Sequence, residues 1–123
     1  MGLKLIVQDD SWSLLDKKGI TVLTIKEFED ERQRTILAVS GDLRSDTVQN
    51  FKDELAAYAS VGADITLDFA ELKSISNACQ MAILNVQQQM DDMNKGSVTL
   101  RNVPKEIYKV FETSNLHQLL VFE

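Results

Sequence analysis

Segments with the composition of β-strands alternate with segments of helical periodicity along most of this chain, and this alternation limits the possible folds more than any other feature. Residues 20–28 and 35–40 are rich in β-branched and apolar side chains, as strands are. The continuous apolar run at 36–39 predicts a strand inside a sheet, joined to its neighbour by an exposed charged hairpin at 29–33. Since each strand–helix–strand passage can form a right-handed crossover, the pattern predicts an α/β domain.

Three helices are expected between and after the later strands. The first follows the possible N-caps Ser45 and Asp46 and stops at Gly62, a residue that tolerates the left-handed conformation. The second runs from Asn77 to about Asn94, and the third begins at Pro104. An apolar stripe on the second helix should face the sheet; it comprises Cys79, Ala82, Ile83, Val86, Met90 and Met93.

Size and charge narrow the classes of partner. The chain has 123 residues, the usual size of one domain, and a formal net charge of -6. A negative surface repels phosphate backbones, so we do not expect nucleic acid as a partner. No apolar run approaches the roughly 20 residues of a membrane helix, and no long apolar leader segment is present, so we expect a cytoplasmic protein without direct membrane insertion.

The first nineteen residues are the hardest to assign. We expect 1–19 to be an N-terminal extension packed on a domain of residues 20–123. Trp12 within it is compatible with an added strand, a covering arm or a contact in a homodimer.

Residue types that carry catalysis or bind metals do not occur in a usable arrangement. His117 is the only histidine and lies among leucines, which excludes a two-histidine metal motif and favours a structural role. Cys79 is the only cysteine and falls on the apolar stripe, where a buried thiol is ordinary. The five glycines are isolated, so no phosphate-binding loop exists, and Asp68 should accept backbone N–H groups in a structural role. We therefore expect no enzymatic activity, no metal and no cofactor.

Three short segments, taken in order, resemble the STAS (sulfate transporter and anti-sigma factor antagonist) family, especially its anti-sigma factor antagonists. They are Val39–Leu43, Leu67–Leu72 and Ser114–Leu116, and the resemblance covers about residues 20–123. It implies a STAS-like single domain, a mixed β-sheet with about three to four helices packed mainly on one face. It also implies a bacterial regulator of transcription or stress signalling that binds a protein partner, such as an anti-sigma factor that is a serine kinase, or a subunit of a signalling complex.

The resemblance fails at one functionally important position. In the family, the turn after the central strand reads Asp-Ser-Ser-Gly-Leu, and its second serine accepts phosphate from the partner kinase. Ala78 occupies that place here and has no hydroxyl group. Because a phosphate would add about -1.5 to -2 charges to the docking surface, the substitution implies docking without a phosphorylation switch, unless Ser76 or Ser74 is the acceptor. Ser76 is the better alternative because it could also cap the second helix.

The predicted partner-binding surface combines the turn after Gly41 with the start of the second helix. Met81 and Leu84 lie almost opposite the apolar stripe, where an exposed apolar pair would mark a partner site and where a neighbouring helix or the N-terminal arm could equally cover them. The surface comprises Asp42, Arg44, Ser45, Asp46, Ser74, Ser76, Asn77, Ala78, Gln80, Met81 and Leu84. An alternative function is a STAS-like accessory subunit of an ABC-type membrane transport complex that contacts its cytoplasmic ATPase. A small-molecule sensor is a third possibility, for which the sequence shows no pocket.

Overall fold

Strands and helices alternate in the structure, a computed structural model that describes residues 2–123, and the expected α/β class is confirmed. The strands in this range are β1 (Lys4–Val7), β2 (Ser11–Leu15), β3 (Thr21–Glu29), β4 (Thr35–Leu43), β5 (Asp64–Asp68), β6 (Leu72–Ile75), β7 (Ser97–Arg101) and β8 (Val121–Phe122). The helices are α1 (Val48–Ala59), α2 (Asn77–Met93) and α3 (Lys105–Thr113).

All eight strands form one mixed sheet in the order β1-β2-β3-β4-β5-β7-β8, with β6 also paired to β4. The strands from β1 to β4 are antiparallel, whereas β4 to β8 pair in parallel through crossovers. β4 lies at the centre, as its continuous apolar run predicted. Its first half pairs with β5 and its last residues pair with β6, so the end of β4 lies beside the end of β6.

The segment before residue 20 supplies two strands of this sheet. β2 pairs with β3, and its Leu14 belongs to the hydrophobic core with only 2% of its surface exposed. The indole Nε1 of Trp12 donates a hydrogen bond of 2.8 Å to Glu54 Oε1 on α1. Of the roles considered for Trp12, the structure therefore shows the added strand.

A close approach between β3 and β4 requires glycine at position 41. Gly41 has φ +104, and a Cβ atom there would lie 2.2 Å from the carbonyl oxygen of Val22. The pairing of β4 with β6 shifts its register immediately after Gly41, where the Gly41 N–H donates to the Glu71 carbonyl at 3.1 Å. This glycine thus lets the chain enter the turn that leads to the candidate site.

The second helix is buried over a wider arc than the apolar stripe predicted. Cys79, Ile83 and Met90 are fully buried as expected, but Met93 is 42% exposed, so its inclusion in the stripe was wrong. Asn94, with φ 54, ends the helix in a left-handed C-cap, so Met93 stands on the last, solvent-facing turn.

Candidate partner-binding surface

Pairing between β4 and β6 brings together two segments that are far apart in sequence. Asp42 stands opposite Ser74 in the parallel register, and the Ser74 hydroxyl donates to Asp42 Oδ1 at 2.7 Å. Next to this contact, the Ser76 N–H donates to the Leu43 carbonyl at 2.7 Å. The turn after β4 and the start of α2 therefore lie side by side, so the two parts of the predicted surface are adjacent.

Hydrogen bonds within the turn hold residues 44–47 in a defined conformation. Arg44 makes a bidentate ion pair with Asp46, with nitrogen–oxygen distances of 2.9 and 2.7 Å. The same contact lowers the pKa of the Asp46 carboxyl from its ordinary value and raises the pKa of the Arg44 guanidinium. Because both side chains are exposed, the pair shapes the surface more than it stabilises the fold.

Thr47, rather than Ser45 or Asp46, occupies the N-cap of α1, so the expected N-caps were wrong. Its hydroxyl accepts from the Arg44 N–H at 2.9 Å and donates to the Arg44 carbonyl at 3.0 Å, and it makes no capping hydrogen bond. The side chain of this fully buried threonine therefore closes the turn instead of capping the helix, whose first hydrogen bond runs from the Phe51 N–H to the Thr47 carbonyl at 3.1 Å. Its place directly before the first apolar residue of the helix, Val48, was the sequence signal that could have identified it.

The start of α2 is fixed by Ser76, the helix N-cap. Its Oγ accepts a hydrogen bond of 3.2 Å from the Cys79 N–H, which confirms the capping role expected for this serine. The Cys79 thiol contacts the turn, donating to the Arg44 carbonyl at 3.6 Å. Burial raises the pKa of this thiol, which keeps it neutral and favours the expected role in the core over one as a nucleophile.

Most of the predicted surface residues face solvent. Arg44, Ser45, Asp46, Ser74, Asn77, Ala78 and Met81 are exposed, and Asp42 and Ser76 are half-buried. Met81 is 39% exposed and lies one turn after Ala78 on the same helix. The start of α2 therefore presents a small exposed apolar centre, and the turn that carries the Arg44–Asp46 pair contacts the same end of the helix through the Arg44 carbonyl.

Gln80 and Leu84 do not belong to this surface, and their assignment to it was wrong. Gln80 is 1% exposed and Leu84 is 8% exposed. The flank of α2 that they share continues to Gln87, whose Oε1 accepts from the Val98 N–H in β7 at 3.2 Å. This flank faces the sheet, so coverage by the chain itself is the correct interpretation for Leu84.

The other residues considered for catalysis or metal binding make structural contacts. Asp68 accepts from the Ala70 N–H at 3.0 Å, as expected, and from Arg101 Nε at 3.1 Å. His117 is half-buried and contacts the Tyr108 ring edge-on, with 6.1 Å between the ring centroids.

Residues 2–123 contain no cluster of three or more acidic, histidine or cysteine side chains that could hold a metal ion. No helix within the same range is both long enough and apolar enough to cross a membrane.

Comparison with known families identifies the fold. A family model described as "Mlab, STAS domain" matches residues 27–121, most of the chain. The chain belongs to the STAS family. No curated protein matches this STAS chain in sequence.

Solved structures of anti-sigma factor antagonists share the architecture of this STAS domain. One is a putative anti-sigma factor antagonist from Thermotoga maritima, with a TM-score of 0.69, 17% identity and coverage of 80% of this chain and 84% of that chain. Another is the anti-sigma factor antagonist SpoIIAA of Bacillus in its unphosphorylated form, with a TM-score of 0.64, 16% identity and coverage of 80% and 87%. At these identities the likeness establishes the fold.

Proposed function

We propose that this STAS domain is a non-catalytic docking module that binds its partner through the turn at 42–46 and the segment at 74–81, without Gln80. The partner we propose is an anti-sigma factor with serine kinase activity, or another subunit of a signalling complex, in the bacterial cytoplasm. The domain would then regulate transcription or stress signalling by occupying that partner.

The exposed apolar start of α2 is the observation that carries this proposal. Ala78 and Met81 face solvent on consecutive turns, and Met81 is a large apolar side chain with 39% of its surface exposed. Asn77 beside Ala78 is polar and exposed, and the contact of the Cys79 thiol with the Arg44 carbonyl brings the polar turn to this end of the helix. An apolar centre with a polar rim is the usual anatomy of a protein–protein interface.

The surroundings of the nearby hydroxyl groups support docking without a phosphorylation switch. Ala78 has no hydroxyl, and the Ser76 oxygen is engaged in capping α2. Ser74 is exposed, but its hydroxyl lies 2.7 Å from the Asp42 carboxylate, which would repel a phosphate at that position. The surface would therefore stay in one binding state.

Ala78 also supports a second candidate function, an accessory subunit of an ABC-type transport complex. A subunit that stays assembled with a transport ATPase needs a constant docking surface and no acceptor hydroxyl. Because the two functions use the same surface, the identity of the bound partner separates them.

Affinity purification with Ala78→Glu tests the surface directly. A glutamate in the first turn of α2 interacts favourably with the helix dipole, so the variant should fold while placing a charge in the apolar centre. Gln88→Glu adds the same charge at an exposed position later on the helix and serves as the control. We expect mass spectrometry to find one partner with the wild type and Gln88→Glu that is lost with Ala78→Glu.

The proposal is wrong if Ala78→Glu keeps its normal thermal midpoint and still captures the same partner in the same amount. Capture of a serine kinase supports the signalling function, and capture of a transport ATPase supports the second candidate.

A further inference from the structure

A groove lies on the flank of α1 that faces the β1–β2 hairpin, and it shares no residue with the docking surface proposed above. Its volume is about 280 Å³. Leu5, Val7 and Trp12 line it from the hairpin, and Glu54 and Ala57 line it from the helix. We call this feature the hairpin groove.

The hairpin groove has an apolar floor that no part of residues 2–123 covers. Leu5 and Val7 stand opposite Leu14 and Trp12 in the β1–β2 register, so all four side chains point to the face of the sheet that α1 covers. Leu14 is 2% exposed, whereas Leu5 is 49% and Val7 is 69% exposed. β1 therefore extends the sheet beyond the reach of α1 and leaves this apolar face without a partner.

Carboxylates border the floor at two sides. Asp53 and Glu54 stand on α1, and Asp9 and Asp10 form the tip of the hairpin in an adjoining cleft that shares Val7 with the groove. The ion pairs within residues 2–123 involve other acids, so no Lys, Arg or His nitrogen in that range lies within 4.0 Å of any of these four carboxylates. The rim therefore carries uncompensated negative charge.

Neutral donors hold two of these carboxylates in place without cancelling their charge. Glu54 accepts from the Trp12 indole at 2.8 Å, and Asp53 accepts from Gln49 Nε2 at 2.8 Å. Both acids are thus oriented along the helix flank while remaining available to a cation from outside.

We propose that the hairpin groove binds a basic amphipathic segment of a partner protein. Its apolar side chains would cover Leu5 and Val7, and its lysines or arginines would approach the carboxylates of the rim, so shape and charge are both complementary. A second copy of this chain is a poor occupant, since two acidic rims would face each other in a molecule of net charge -6.

Trp12 makes occupancy of the hairpin groove directly measurable, because it is the only tryptophan in the chain. The probe is a short peptide of alternating lysine and leucine, titrated into the full-length protein at low ionic strength while Trp12 emission is recorded. We expect a saturable change in emission that weakens as salt is added. A peptide of alternating lysine and serine has the same charge without apolar side chains and should bind much more weakly.

Two pairs of matched variants locate the binding. The first test is the double variant Asp9→Asn/Asp10→Asn, in which asparagine still suits the turn. This variant should bind the peptide about threefold to tenfold more weakly, whereas the control double variant Asp91→Asn/Asp92→Asn on α2 should bind it as the wild type does. Val7→Ser should weaken binding similarly, whereas Val121→Ser, at another exposed valine, should not. Thermal unfolding of each variant verifies that it folds.

The proposal is overturned by any of three results: no saturable change in Trp12 emission, equal binding of the lysine–serine peptide, or equal effects of the groove and control variants. A wild-type dimer that Val7→Ser dissociates would likewise overturn it, because a second copy would then occupy the hairpin groove.

Discussion

In the function that we propose, Ala78 is the residue that distinguishes the docking surface from one that phosphorylation controls. It occupies the exposed first turn of α2, where a hydroxyl would point to solvent next to the capping Ser76. Phosphorylation there would place a doubly charged group in the apolar centre of the surface. In the function that we propose, a methyl group in place of a hydroxymethyl group removes the phosphate acceptor at this position and leaves the docking geometry intact.

Ala78→Ser should create the acceptor that this chain lacks. We expect the kinase captured by the wild-type protein, supplied with ATP, to phosphorylate the variant at residue 78 and to leave the wild type unmodified, as measured by mass spectrometry of the intact protein and its peptides. Phosphate on Ser74 or Ser76 of the wild type would contradict docking without a switch. A captured kinase that ignores the serine variant would contradict the proposed kinase partnership.

Gly41→Ala should destabilise the fold because position 41 combines positive φ with a close backbone contact. The added Cβ would lie 2.2 Å from the Val22 carbonyl oxygen. Strain at positive φ and overpacking each cost about 1–3 kcal/mol, so the free energy of unfolding should fall by about 3 kcal/mol. Gly19→Ala is the control, since Gly19 also has positive φ but no atom within 4 Å of the added Cβ. Equal losses in urea denaturation would show that the contact with Val22 is unimportant.

At the scale of elements, α2 contributes both to the core and to the surface, and two of its apolar residues separate these roles. Leu84 is 8% exposed and belongs to the core cluster, whereas Met81 is 39% exposed. Leu84→Ala should lower the free energy of unfolding by about 2–4 kcal/mol, and Met81→Ala by less than about 1 kcal/mol. Denaturation curves measure both values. A loss from Met81→Ala as large as that from Leu84→Ala would place Met81 in the core and remove it from the docking surface.

The turn between β3 and β4 depends on the ionised form of Asp30. Its Oδ1 accepts from the backbone N–H groups of Arg32 and Arg34 at 3.0 and 2.9 Å, and its Oδ2 accepts from Arg34 Nε at 2.8 Å. These contacts hold the pKa of Asp30 below its ordinary value of 3.8, and the hydrogen bond from the Arg34 backbone N–H has the largest effect. The stabilisation is therefore fully present above pH 3.8 and is lost as the pH falls through the lower pKa of the folded state.

Asp30→Asn should therefore be less stable than the wild type at neutral pH, and the difference should shrink on acidification below the ordinary carboxyl pKa. Melting temperatures measured across this pH range provide the comparison. Asp92→Asn, at an exposed carboxylate on α2, controls for the loss of one negative charge. A difference between wild type and Asp30→Asn that stays constant with pH would contradict the role of the ionised form.

At the scale of the whole molecule, the N-terminal hairpin completes the sheet. β2 covers the edge of β3 and adds Leu14 to the core, whereas the side chains of β1 are exposed. Removal of residues 1–19 should lower the free energy of unfolding by more than about 2 kcal/mol, the contribution of a fully buried leucine. It should also expose the edge of β3 to intermolecular pairing. Removal of residues 1–8 should lower the free energy of unfolding much less. Thermal unfolding and size-exclusion chromatography test this, and equal stability of both truncated chains would show that β2 is dispensable.

Local patterns in the sequence were sufficient for the class of the fold, its central strand and the capping role of Ser76. They succeeded because strand composition, helical periodicity and capping depend on residues within a few positions of one another. The same patterns predicted the wrong cap for α1, since Thr47 is engaged by Arg44 in a turn that periodicity does not describe. They also gave α2 too narrow a buried arc, because a stripe does not show how many neighbours surround a helix.

Taken alone, the sequence determined that this chain forms an α/β domain of the STAS type and that position 78 cannot be phosphorylated. Only the tertiary structure decided that Asp42 and Ser74 meet, that Leu84 is covered, and that the hairpin groove is left open beside α1. Each of these depends on strand pairing or helix packing between residues distant in sequence, and short-range periodicity contains no information on the neighbours that such packing selects.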